Sequence, residues 1–321
     1  MKRKLFILMI CCTFVLGNVA FSFAVSHYNT YETKASINKS GYNPTQGFAV
    51  GSTYAYSAKL SNDKTKAVLF RTNMNTGATK LLKNGDTSKE YATYLGHAND
   101  MTVCSINNKS HLFVTDAESG KANSNLYKIK IDGDKFYKVG KFAFKYNGSN
   151  IAITGVNIMA KTSSEITFLC KNGYNYYIGT IGLNAKSGNI NLTYKFNINV
   201  ADALVNGKKV DKLTSYTRQS MCYSKGNLYV PLWGGSNAVN KNNCSIILIY
   251  RNVNTSTTGT IQADPNTSFR VTSATYSNFE IEGCGIRGGT SGGKLWFNTN
   301  RKHKTKGTQA DGVHYFNGYS Q

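Results

Sequence analysis

The stretch MTVCSINNKSHLFVTDAESGKANSNLYKIKIDGDKFYKVGKFAF, residues 101–144, reads as four short β-strands separated by turn chemistry. Its apolar and β-branched residues gather over 101–106, 111–115, 125–131 and 136–144, each run bounded by Asn, Asp, Gly, Ser or Lys. Asp132-Gly133 supplies the turn between the last two runs, because glycine enters left-handed backbone angles at no steric cost. Four such strands make one small antiparallel sheet, the unit from which repeating all-β architectures are assembled.

The unit recurs along the chain. Leu112-Phe113-Val114, Ile166-Thr167-Phe168-Leu169, Leu228-Tyr229-Val230 and Leu295-Trp296-Phe297 each follow a polar turn. Upstream stands a hydrogen-bonding residue, then usually a small one, then an apolar or β-branched one: Gln46-Gly47-Phe48, Asp100-Met101-Thr102, Thr154-Gly155-Val156, Gln219-Ser220-Met221 and Glu282-Gly283-Cys284. These starts lie 54 to 65 residues apart, the length of four short strands with turns, which is a propeller period. The last unit is one strand short, and the otherwise unassigned 25–45 stretch is expected to supply it and close the ring. The expected fold is all-β, a single five-bladed β-propeller domain over 25–321 closed by an N-terminal strand. A pair of β-sandwiches or a β-helix is the competing all-β arrangement.

Residues 1–24 read as an export signal. Lys2, Arg3 and Lys4 form a positive start, 5–16 is a nearly unbroken apolar run, and Ser22-Phe23-Ala24 carries small residues where a signal peptidase reads. The apolar run falls short of the roughly 20 residues of a spanning helix, and no later segment is apolar enough to stop transfer. Ile10 before Cys11 and Cys12 does not suit a lipoprotein site. Cleavage after Ala24 predicts a secreted, unanchored protein, expected to be a monomer.

The 321 residues carry 38 Lys and Arg against 16 Asp and Glu, are 40% hydrophobic and 12% aromatic, and contain 30 Gly but only 3 Pro. Such a chain can bury a core, and this composition favours strands and turns over disorder, coiled coils or multiple membrane spans. A net charge of +22, reduced by three when the leader is removed, favours an anionic partner such as an acidic polysaccharide or wall polymer. A basic composition with no specific partner is the alternative. The scattered basic residues and the export signal argue against specific nucleic-acid binding. Beyond the leader, Cys104, Cys170, Cys222, Cys244 and Cys284 show no C-x-x-C spacing, so they read as small buried hydrophobes, not a zinc or disulfide framework.

In a propeller the first strands line a central channel, so their starts converge on one opening: Gln46, Asp100, Thr154, Gln219 and Glu282. The same face collects His97, Arg218, Glu280, Tyr174, Trp233 and the basic run Arg301-Lys302-His303-Lys304. Aromatic faces beside amides, carboxylates and guanidinium groups suit a sugar or an anionic polymer. Polar filling of the channel and ordinary packing are the structural alternatives. Asp100 and Glu282, with the amide oxygens of Gln46 and Gln219, are also hard ligands that could surround a Ca²⁺ on the axis; no other cofactor is expected.

The segments Gln46-Gly47-Phe48, Gly96-His97-Ala98-Asn99-Asp100-Met101-Thr102, Gln219-Ser220-Met221 with Gly226-Asn227-Leu228-Tyr229-Val230, and Glu280-Ile281-Glu282-Gly283 resemble the blade starts of helveticin J-like bacteriocins. The pattern is also similar to the propeller of teichoic acid biosynthesis protein C and of phage receptor-binding proteins. It covers most of residues 46 to 300. The resemblance implies a five-bladed propeller that engages bacterial cell envelopes, sometimes with bacteriolytic action, and brings no catalytic residue.

Gly289-Thr290-Ser291-Gly292-Gly293 matches the letters of a nucleophile elbow, but a strand follows it where the elbow needs a helix, so it reads as a hairpin loop. With no H-E-x-x-H, P-loop or Rossmann fingerprint, paired carboxylates are the remaining enzymatic option. The sequence therefore points to a non-catalytic, secreted binding module for an anionic envelope glycan. A carbohydrate-active hydrolase using Asp100 and Glu282 as base and acid is the alternative.

Overall fold

The computed structural model describes residues 30–117, 121–235, 243–288, 293–319 and 321. Residues 1–24, read above as an export signal, and the elbow-like residues 289–292 lie outside them. The described chain is all-β, with one short 3₁₀ turn at Leu213–Ser215. None of its helices is long and apolar enough to cross a membrane.

The strands form successive four-stranded antiparallel units. The first is Thr45–Val50, Tyr54–Leu60, Ala67–Asn73 and Thr79–Leu81. The second is Asp100–Ile106, Lys109–Thr115, Asn125–Asp132 and Lys135–Tyr146, whose ends differ from the sequence expectation by at most two residues. The third is Gly155–Lys161, Glu165–Asn172, Asn175–Gly182 and Ser187–Asn199. The fourth has a split first strand, Thr217–Arg218 and Cys222–Ser224, followed by Asn227–Trp233, Cys244–Tyr250 and Phe269–Thr272. The fifth is Tyr276–Arg287, Lys294–His303 and Gly312–Phe316, and its fourth strand is the N-terminal Tyr31–Ser36, paired antiparallel to Gly312–Phe316.

Asparagine and glycine close the hairpins for a steric reason. A two-residue turn that follows the right-handed strand twist needs positive φ at both positions. Asn107-Asn108 (49° and 58°), Asn147-Gly148 (48° and 79°) and Lys225-Gly226 (45° and 77°) provide it.

Neighbouring units pack face to face through aromatic contacts. Phe113 of the second meets Phe168 of the third edge-on at 5.1 Å, and Phe269 of the fourth meets Phe316 of the fifth at 5.0 Å. Such pairs add about 0.5–1.5 kcal/mol each beyond area burial. Tyr31 packs on Phe279 and Phe297, so the N-terminal strand contributes core as well as hydrogen bonds.

The first strands are tied in sequence around an axis. Gly47 N–H donates to Ala98 O at 2.9 Å, Ile158 N–H to the Thr102 hydroxyl at 3.4 Å, Asn157 Nδ2 to Met221 O at 3.5 Å, and Ser220 N–H to Glu282 O at 3.0 Å. Asn298 Nδ2 donates to Gln46 O at 2.7 Å and returns the circuit to the first unit. Between these strands runs a channel of about 200 Å³, lined by Phe48–Val50, Met101–Val103, Asn157–Ile158, Cys222–Ser224 and Cys284–Ile286. At the outer rim, parallel pairs join separate units: 141–146 with 187–192, 196–199 with 259–262, and 135–136 with Lys83–Asn84. The five cysteines among the described residues are free thiols, Cys104 half-buried and the others buried, and Cys222 and Cys284 both line the channel.

Candidate functional site

The units position one polar cluster where the first strands begin. These strands approach so closely that side chains are excluded. A Cβ on Gly47 would stand 2.6 Å from Ala98 O, and one on Gly283 would stand 2.6 Å from Phe48 Cβ and 2.7 Å from the Ser220 hydroxyl. At Gly47 and Gly283 the neighbouring unit thus leaves no room for a larger residue, whereas Asp100 is followed by Met101.

Asp100 is fully buried, 0% exposed, and its carboxylate joins three units. Oδ1 accepts the N–H of Met101 at 2.8 Å; Oδ2 accepts those of Val156 at 2.9 Å and Met221 at 3.3 Å. Burial pushes the carboxyl up to about 7, against the pull of Lys171 and these three donors. Burial likewise lowers the Lys171 ammonium to about 8, opposed by Asp100. Lys171 Nζ donates to the carbonyls of Gln219 and, at 3.4 Å, Ser220. Both Asp100 oxygens are thus occupied by backbone amides of three units. Among the described residues no group of three or more His, Cys, Asp or Glu is arranged to hold a metal ion.

The acidic pair at the mouth is Glu280 with Glu282. Glu280 Oε1 accepts Gln219 Nε2 at 2.6 Å and Oε2 accepts Asn300 Nδ2 at 3.0 Å. Asn300 Oδ1 accepts Gln309 Nε2 at 2.6 Å, Gln309 reaches Asp311, and Asp311 forms a buried ion pair with Lys59. Burial raises Glu280 to about 7; burial, the Glu280 carboxyl and Asp311 hold Glu282 well above the usual carboxylate range. The neighbouring Glu280 carboxyl is one of the groups that disfavour ionisation of Glu282.

Around this row the remaining candidates divide. Arg218 is exposed and lies 4.3 Å over the Tyr174 ring, while Trp233, half-buried, pairs with Thr217 in the adjoining strand. Arg301, expected to reach a ligand on the channel face, is 4% exposed and held between Tyr276 at 4.5 Å and Tyr31 at 5.9 Å. It donates to Ala310 O at 2.9 Å and the Tyr31 hydroxyl at 3.2 Å, so it braces the fold instead of reaching a ligand. His303 stacks near Tyr276 at 5.1 Å, and Lys302 and Lys304 are the solvated members of that run. Gln46 is buried at the start of the first unit, and Thr154 and His97 are half-buried in the loops entering the third and second.

Sequence reading did not select Lys59, Lys171, Asn300, Gln309 or Asp311. The available signal was a lysine near the end of each of two otherwise apolar strands, Tyr54–Leu60 and Glu165–Asn172. Glu280 was visible only as the first member of a Glu-x-Glu pair.

No family model matches the chain, and no curated protein is similar to it. Solved structures do resemble it. A GH32 β-fructofuranosidase of Bombyx mori has 10% identity and a TM-score of 0.49, covering 91% of this chain, which spans 62% of that protein. The catalytic domain of a Coprinopsis cinerea GH62 α-L-arabinofuranosidase has 7% identity and a TM-score of 0.47, covering 89% and 95% of the two chains. Levansucrase of Bacillus subtilis, as the mutant S164A, has 11% identity and a TM-score of 0.43, covering 93% and 90%.

Proposed function

We propose that the chain is a secreted five-bladed propeller, helveticin J-like in its blade starts, that binds an anionic cell-envelope glycan on the face where the first strands begin. The observation that carries this reading is the row Gln219–Glu280–Asn300, an amide, a carboxyl and an amide linked at 2.6 and 3.0 Å. Beside it stand the Arg218–Tyr174 stack and Trp233. Planar donors and acceptors fix hydroxyl directions, an aromatic face takes the apolar side of a sugar ring, and an exposed guanidinium takes its anionic group. The large positive net charge raises the local concentration of such a polymer.

Binding without cleavage is the main reading, because Asp100 spends both oxygens on backbone amides. A glycoside hydrolase is the second reading, favoured by one specific observation: Glu280, 7% exposed at the mouth, has a carboxyl raised to about 7, suited to a general acid.

A pull-down of the mature protein on fractionated wall polymers, with reducing ends monitored, tests both. Retention of an anionic fraction without fragment release supports binding. Release of fragments that stops in Glu280→Gln supports the second reading. Equal retention of neutral and anionic glycans removes the charge argument.

A further inference from the structure

A second concavity lies away from the channel mouth, between the third and fourth units. The connection between them carries a small hairpin, Leu204–Val205 paired with Lys208–Lys209. Its turn is Asn206-Gly207, with φ of 52° and 69°, the angles a tight hairpin needs. Asn206 N–H donates to Ser268 O at 2.8 Å and Gly207 N–H to Pro265 O at 2.8 Å, which fixes the hairpin against the segment entering Phe269–Thr272. In that strand Phe269 and Val271 are buried while Arg270 and Thr272 are exposed, so alternation places Arg270 and Thr272 together on the outer face.

The hairpin and this face enclose a cavity of about 490 Å³ lined by Val205, Asn206, Lys208, Lys209, Val210, Arg270 and Thr272. Three of these seven side chains are cationic and none is acidic. Among the described residues, none of the three cations makes an ion pair. A carboxylate needs one such partner, whereas a phosphate monoester carries about −1.5 to −2 charge and three acceptor oxygens, which two lysines and an arginine match. The volume exceeds that of a bare phosphate and lies within the range of small-molecule sites of about 300–1,000 Å³. Val205 and Val210 supply an apolar wall, and Asn206 and Thr272 supply polar groups for hydroxyls.

We infer that this cavity binds a phosphate-bearing sugar unit, its phosphate held by Lys208, Lys209 and Arg270. The sugar part of the inference rests on the glycan reading above; the oxyanion part stands on the cavity alone.

Titration calorimetry of the mature protein at low ionic strength uses glucose 1-phosphate, inorganic phosphate and glucose as separate probes. Glucose 1-phosphate should bind tightest, weaken at least fivefold in Arg270→Ala and in Lys208→Ala/Lys209→Ala, and weaken as salt rises. Trp233→Ala should leave it unchanged, which separates this cavity from the channel-mouth site. Equal affinity for inorganic phosphate would overturn the sugar part. Equal affinity for glucose, no binding of glucose 1-phosphate, or unaltered binding in folded Arg270→Ala would overturn the whole inference. Thermal melts of each variant establish that it is folded.

Discussion

Lys59 and Asp311, 252 residues apart in sequence, form an ion pair with both side chains fully removed from solvent. The pair joins the second strand of the first unit to the last unit. Asp311→Asn leaves the ammonium uncompensated and should lower stability by about 3 to 5 kcal/mol. Lys59→Met/Asp311→Asn should recover a large part of that loss, since no buried charge is stranded. Urea denaturation of the three proteins measures both values; a double variant no better than the single would remove the charge explanation.

The N-terminal strand provides a second connection between the chain's two ends. A chain starting at Thr45 lacks Tyr31–Ser36, leaves Gly312–Phe316 as an open edge and uncovers Phe279 and Phe297. Its melting temperature should fall by about 5 to 10 °C, with a broader transition. Differential scanning calorimetry checks this, and a melt as high and as sharp as that of the longer chain would contradict it.

The carboxyls at the channel mouth give stability a pH slope of defined sign. Glu280 is raised from 4.5 to about 7 and Glu282 lies well above 4.5, so the folded protein keeps protons that the unfolded chain sheds. Their contribution is fully present below pH 4.5 and declines as pH rises through about 7. His314, held well below 6.5 by burial, acts in the opposite sense as pH falls, which makes the difference between variants the informative quantity. Relative to the parent, Glu282→Gln should gain stability as pH rises from 5 to 8, because the neutral amide has no proton to lose. Urea curves at the two pH values test it; a pH-independent difference would contradict it.

Two arginines on one face should behave differently. Arg301→Ala removes two hydrogen bonds and a cation between two rings, and should cost about 2 to 4 kcal/mol of stability. Arg218→Ala should change stability by less than about 1 kcal/mol, because its stack is exposed. Its effect should appear as weaker polymer retention at low ionic strength that fades near physiological salt, where the Debye length is about 8 Å. Denaturation and retention measured on both variants separate the roles.

The first-strand starts were legible because a repeat marks equivalent positions without reference to partners. That is how Gln46, Asp100, Gln219 and Glu282 could be found. Their tasks were not legible. Asp100 meets the amides of Val156 and Met221, residues that sequence gives no reason to place beside it. Arg301 sits in a run of four basic residues that resembles a solvated tip, and Tyr31, 270 residues away, helps to cover it. Lys59 and Lys171 look like outward members of alternating strands until Asp311 and the Gln219–Ser220 carbonyls are brought against them. Local chemistry defines a strand and its turn, while the burial of a charge is decided by chain arriving from elsewhere.

The parallel pairs at the rim have a mechanical consequence. A lone sheet edge can be peeled one hydrogen bond at a time, but 141–146 and 187–192 run side by side in the same direction across two units. Sliding one past the other loads several bonds together, and the 196–199 to 259–262 pair passes tension on to the fourth unit. Tension on one sheet is thereby shared with its neighbour, so the ring resists being opened blade by blade.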